Sequence, residues 1–275
     1  MTKKPNSRVN LDKAINRFAG SARAADGMRN SLANVIVAQM LPEGVVKGGS
    51  SLKFRYGCAT TRATMDLDTA WKADLDTFLK GLRERISVGW GGFAGVLIVG
   101  RQASPKGIPF NYVMQPCDVK LTYLGKPWYT VRLEVGHNEI GDADECETVN
   151  PPQEVLDLCR ELALPEPTKI PVMLLEHQVA QKLHGVSAPN SRRAHDLIDL
   201  QLIFAHEPID MARTADICRR LFAYRKVQAW PPTIVKGEGW ENVYKEQSIR
   251  LPVLSSIDEA IVWANELIAR IDQAK

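Results

Sequence analysis

Two hydrophobic periods divide this chain, and their order limits its fold more than any other feature. Between residues 45 and 136 the apolar residues form short runs or alternate with polar ones. From about residue 172 to the end they recur at helical spacing. Strands grouped first and helices grouped afterwards predict an α+β protein with a helical second half. The expected strands are Val45-Val46, Thr64–Thr69, Gly95–Arg101, Val119–Tyr123 and Thr130–Val135. In the last of these, Val131, Leu133 and Val135 alternate with Arg132 and Glu134, as in a half-buried strand. Helices are expected over Leu11–Ala24 with Asn10 as cap, Ser31–Met40, Ser50–Arg55 and Asp74–Ile86. Five more follow over 174–185, 191–205, 210–225, 239–247 and 256–272. Pro151-Pro152, inside the acidic stretch 139–166, marks a junction between an expected sheet-bearing domain, 1–150, and a helical domain, 151–275.

Composition excludes several classes. A length of 275 residues with 45% hydrophobic and 24% charged residues is that of a globular protein. A net charge of +3 argues against a wholly electrostatic nucleic-acid binder, though not against a local basic patch. No apolar run approaches the roughly 20 residues a bilayer span needs, and the basic start lacks the apolar stretch of a secretory signal. Cys58, Cys117, Cys146, Cys159 and Cys218 form no CxxC pair, so neither a zinc site nor a disulfide framework is expected. A cytoplasmic location with reduced thiols follows as the expectation.

The stretch Val45–Asp68 carries the most chemistry. A strand ends in Gly48-Gly49, and Ser50-Ser51 stand at a helix start. There, close backbone approach, amide groups and the helix dipole favour an anion such as phosphate. Asp66 and Asp68 flank Leu67 on an expected strand, which puts both carboxylates on one face. Paired carboxylates repel unless a cation lies between them, and hard oxygen ligands suit Mg²⁺ bound with a substrate's phosphates. A two-metal clamp usually takes a third carboxylate, and Glu134 is the candidate. Further on, Lys182 lies at the core boundary of an amphipathic helix, and Arg192, Asp196 and Asp199 share one face of the next. GWGGFA at 89–94 precedes a strand instead of following one, so it is no dinucleotide fingerprint.

In order and spacing, KGGSSLKFRYG, TRATMDLD, VRLEV, LLEHQVAQKLHG and SRRAHDLIDL resemble the motifs of the AbiEii/AbiGii-type toxin nucleotidyltransferases, which include the MenT toxins. The resemblance spans about residues 45–204. It implies a nucleotidyltransferase-like mixed sheet with a C-terminal helical domain closing the active site. It also implies Mg²⁺-dependent transfer of a nucleoside monophosphate from an NTP. Carried onto this chain, Asp66, Asp68 and Glu134 bind metal and, with Lys182 and Asp196, form the catalytic set. Gly48, Gly49, Ser50, Ser51, Lys182 and Arg192 hold the nucleotide. His195 stands where the family commonly has lysine, and at neutral pH it is the weaker cation.

The acceptor implied is the 3′ end of tRNA, and modifying it would block translation. Arg213–Lys226, with five Lys+Arg against one Asp, and the basic segment 1–29 offer phosphate-tracking surface. Phe222, Tyr224 and Trp230 offer stacking rings, and the acidic 139–166 stretch is expected to face away. A cognate antitoxin encoded nearby is a further implication. The competing expectations are transfer to a protein or small molecule, and a catalytically inactive binding module of a defence system.

Overall fold

The computed structural model describes residues 3–72, 74–103 and 113–274. These form two compact units. The first comprises Met1–Cys58, Thr64–Asn138 and Cys146–Val172; the second comprises Ala59–Ala63, Glu139–Glu145 and Met173–Lys275.

The first unit opens with two helices, α1 (Arg8–Ala19) and α2 (Ala22–Gln39). Ser7, not Asn10, caps α1, and the break falls at Gly20, whose φ of 75° is left-handed, followed by Ser21 as the next cap. Then come β1 (Gly44–Lys47), α3 (Gly48–Tyr56), β2 (Leu67–Trp71), α4 (Leu75–Val88), β3 (Phe93–Val99), β4 (Gln115–Tyr123), β5 (Lys126–Gly136), β6 (Cys146–Val149), α5 (Gln153–Glu161) and β7 (Ile170–Met173). The strands make one mixed sheet in the order β3-β4-β5-β2-β1-β7-β6. Its centre positions the site, because β2 runs antiparallel to β1 and parallel to β5.

One face of the sheet is core. Val119 and Leu121 of β4, and Val131, Leu133 and Val135 of β5, are buried, and α2 packs against β5. The opposite face carries the alternate residues of the same strands, among them Asp118, Arg132 and Glu134. β2 begins at Leu67, three residues later than the expected strand, so Asp66 lies in the bend that leads into it. α5 and the four-residue strands β6 and β7 fall outside the expected elements.

The second unit is helical: α6 (Leu175–Ser187), α7 (His195–His206), α8 (Met211–Arg225), α9 (Trp240–Gln247) and α10 (Ile257–Gln273). α6 packs on α7 and α8, and α10 packs on α7, α8 and α9. All five cysteines are free. Among the described residues no helix is long and apolar enough to cross a membrane.

Candidate active site

The first unit's candidate site is built where β1 turns directly into α3. Gly48 has φ of 63°, a conformation that disfavours any side chain, and a Cβ there would overlap Asp68 Oδ2. The glycine therefore serves two purposes: it makes the turn and it admits the aspartate against the backbone. Gly49, Ser50 and Ser51 follow in the first turn of α3, all buried, at a helix start that has no acidic side chain. The Ser50 hydroxyl donates to the Asp66 carbonyl at 2.6 Å, which fastens the entry of β2 to the start of α3.

The acids sit in a row set by strand register. Asp68 of β2 is opposite Glu134 of β5 on one side and opposite Lys47 of β1 on the other, and register partners share a face. The Thr69 hydroxyl donates to the Glu134 carbonyl at 3.3 Å, adding a side-chain tie between the two strands. Asp66, just ahead of the strand, lines a cavity of about 290 Å³ together with Asp118, Arg132 and Glu134. Its Oδ1 is buried and has no hydrogen-bond partner among the described residues. A buried, uncompensated carboxylate oxygen is costly, and a bound cation would relieve it. In donor chemistry Asp66, Asp68 and Glu134 fit a divalent cation. They are neighbours without forming a closed shell, since no group of three His, Cys, Asp or Glu among the described residues is drawn together closely enough to hold a metal ion.

Lys47 escaped the reading of the sequence. Its side chain is buried, and its ammonium lies over Gly136, where any Cβ would collide with it. It brings a positive charge to the row that holds Asp68 and Glu134. A lysine closing an apolar strand directly before the glycine turn was the signal available.

The second unit carries Lys182 and Asp196 in a buried ionic cluster. The Lys182 ammonium donates to Asp196 Oδ1 at 3.2 Å and to Asp199 Oδ2 at 2.5 Å. Arg62 grips Asp199 with two bonds of 2.9 Å each. Arg193 Nε donates to Asp196 Oδ2 at 2.5 Å. Gly185 leaves room for that pair, since a Cβ would lie 2.7 Å from Arg193 Nε. Burial alone would raise both aspartates. Arg193 and Lys182 outweigh it at Asp196, and Lys182 and Arg62 do so at Asp199, so both are held below the usual carboxylate range. His195 is pushed down to about 4 by burial and by Arg62, against the pull of Asp196, and is neutral at physiological pH. Three cations against two carboxylates leave the cluster one positive charge in excess.

One expectation changes here. Asp196 pairs with Arg193, whereas Arg192 is exposed. The reason is that α7 begins at His195, so residues 191–194 lie before the helix, where the i, i+4 argument does not hold. Lys182, expected at the core boundary, is only 4% exposed and engaged by two carboxylates.

The basic stretch Arg213–Lys226 is also different from expectation. Arg213 pairs with Glu145, Arg219 with Asp272, Arg220 with Asp216 and Arg225 with Glu139. The start of the acidic segment thus lies against α8 instead of facing away from it.

A mixed sheet that sets a glycine-serine helix start beside two aspartates and a third acid on the neighbouring strand is an arrangement suited to a nucleoside triphosphate and a cation, the requirement of a nucleotidyltransferase. More narrowly, the chain belongs to the AbiEii nucleotidyl transferase toxins of type IV toxin-antitoxin systems, whose family model matches residues 30–266. Its fold is similar to that of MenT4, a nucleotidyltransferase toxin from Mycobacterium tuberculosis H37Rv. The TM-score is 0.60 at 19% identity, over 96% of this chain and 90% of that one. JHP933 from Helicobacter pylori is a weaker likeness, with a TM-score of 0.44 at 13% identity over 90% and 91% of the two chains. No curated protein matches the chain significantly. As a member of this family it is an enzyme with an NTP substrate, and a type IV system implies an antitoxin partner.

Proposed function

We propose that this chain is a cytoplasmic, Mg²⁺-dependent toxin that moves a nucleoside monophosphate from an NTP to the 3′ end of tRNA and so stops translation. One observation carries the reading of the chemistry. Asp68 and Glu134 stand opposite each other in parallel strands, against a glycine helix start, with the orphaned Asp66 oxygen beside them.

The chain's own groups divide the work. Backbone amides of Gly49 and Ser50, at the positive end of α3, hold the triphosphate. Gly48 keeps the backbone close enough, and Ser51 completes the buried first turn. Ser50, bonded to the Asp66 carbonyl, keeps the phosphate-binding turn and the acid at a fixed spacing. Lys47 supplies a cation at the same strand end. Asp66, Asp68 and Glu134 would hold Mg²⁺, which supplies charge neutralisation on the phosphates when bound. Lys182, Arg192 and Asp196 are assigned to the nucleotide through the family resemblance. The one-charge excess around Lys182 suits an anion. Catalysis by such a site is positioning and electrostatic stabilisation.

One observation favours a second acceptor. Four of the five cations of Arg213–Lys226 are already paired with acids, so α8 offers little free charge for tracking an RNA backbone. Transfer to a protein or small molecule is therefore the alternative. Incubation with each α-labelled NTP, total tRNA and a protein extract separates the two. Label on tRNA that disappears with a chelator and in Asp68→Asn supports the proposal. Label on protein overturns the tRNA assignment.

A further inference from the structure

The C-terminal end of α8 frames a cavity of about 540 Å³, within the size range of small-molecule sites, lined in part by Arg219, Phe222, Lys226, Gln228 and Trp230. Three features of it stand together. The first is charge. Lys226, in the left-handed conformation that ends the helix, pairs with no carboxylate among the described residues, unlike the four arginines before it. Arg219 adds a second cation, shared with Asp272 of α10.

The second is an aromatic wall. Phe222 and Trp230 meet edge to face at 5.2 Å between centroids, and the Trp230 indole is held by its N–H bond to Asp272 at 2.8 Å. Phe222 is in turn packed by His184 at 4.8 Å. The rings are therefore fixed in place before any ligand arrives.

The third is an unanswered acceptor. The Gln228 amide nitrogen donates to the His184 carbonyl at 2.8 Å and to the Ser187 hydroxyl at 3.0 Å. A carbonyl can only accept, so the amide cannot be turned round. Its Oε1 is consequently fixed in a buried position with no donor among the described residues. A ligand that satisfies all three features carries an anionic group, a planar ring and an N–H donor on that ring. A nucleotide has all of them.

We infer that this cavity binds one unpaired nucleotide of an RNA strand, with the phosphate at Lys226 and Arg219, the base against Trp230 and a base N–H on Gln228 Oε1. The inference rests on the RNA reading of the acceptor given above, and it replaces a broad basic face of α8 with a single pocket at its end. RNA is chosen over a free nucleotide because Val227 is half exposed and Ala229 is exposed, which leaves the rim open for a strand to continue.

The test uses the full chain and fluorescence anisotropy with a fluorescein-labelled 12-nucleotide single-stranded RNA and a blunt RNA duplex of the same sequence. The single strand should bind more tightly than the duplex. Lys226→Glu and Trp230→Leu should each weaken it at least ten-fold, while Lys245→Glu, the same charge change on the exposed face of α9, should stay within two-fold. Lys226 is exposed, so its variant carries the test even if Trp230→Leu fails to fold. Equal affinity of Lys226→Glu and the parent, no binding of the single strand, or its displacement by micromolar AMP would each overturn the pocket. The two proposals fail separately. Label transferred to protein sinks the tRNA acceptor, whereas tRNA labelled as before by a Lys226→Glu enzyme of undiminished RNA affinity sinks the pocket alone.

Discussion

Replacing Lys182 by methionine removes the shared cation from between two fully buried aspartates. Asp196 and Asp199 are 0% and 1% exposed, and Lys182 bonds to both. Losing one partner of a buried ion pair costs about 3–5 kcal/mol, because the remaining charge stays desolvated. Each aspartate keeps an arginine, Arg193 and Arg62 respectively, which places the expected loss near the lower end, about 3 kcal/mol. That is a large share of a typical stability of about 5–15 kcal/mol. At about 2–4 °C per kcal/mol, it corresponds to a fall in Tm of about 6–12 °C. Calorimetry of the full chain measures it, with nucleotide affinity read on the same samples below the lower Tm. A fall of less than about 2 °C would refute the argument, since it would mean that Lys182 is not committed to the aspartates and is free to act on phosphates at no structural cost.

Gly48→Ala forces a side chain into φ of 63° and into the space of Asp68 Oδ2. Strain of about 1–2 kcal/mol and displacement of the acid should reduce transfer by more than a hundred-fold with the fold retained by circular dichroism. Acid should destabilise the second unit early. His177, His184 and His195 are held down to about 4, 3 and 4, in each case chiefly by burial, so they are neutral when folded and bind protons on unfolding. The stability they contribute is complete above the unfolded histidine pKa of about 6.5 and is lost as pH falls towards 4 and 3. Asp196 and Asp199, also held low, extend the loss below pH 4. A Tm that stays flat between pH 7 and 4.5 contradicts this.

What the sequence made legible is what local periodicity controls. The alternation in 130–135 located β5 and put Glu134 on the face opposite Val131, Leu133 and Val135. The helical spacing after 172 located α6 to α10 within a few residues. The glycine turn and DLD were legible because their chemistry is concentrated in 24 residues, Val45–Asp68.

Features that depend on distant partners were not legible. Arg62 sits in a loop with no pattern of its own, and only the fold brings it 137 positions along the chain to Asp199. Lys47 is significant only because β2 places Asp68 opposite it. β7 is four residues long and includes a proline, which reads as a break, although the strand is paired through Val172. Arg192 and Arg193 could be told apart only by where α7 starts.

In the proposed mechanism Asp66, Asp68 and Glu134 cooperate with the glycine turn to hold a metal-bound triphosphate. Titration calorimetry of a non-hydrolysable NTP analogue into the full chain, with Mg²⁺ and with EDTA, addresses it most directly. Binding should need the ion and be lost in Asp68→Asn and Glu134→Gln, both with parental Tm. Tight binding in EDTA, or undiminished Mg²⁺-dependent binding by both variants, would contradict it.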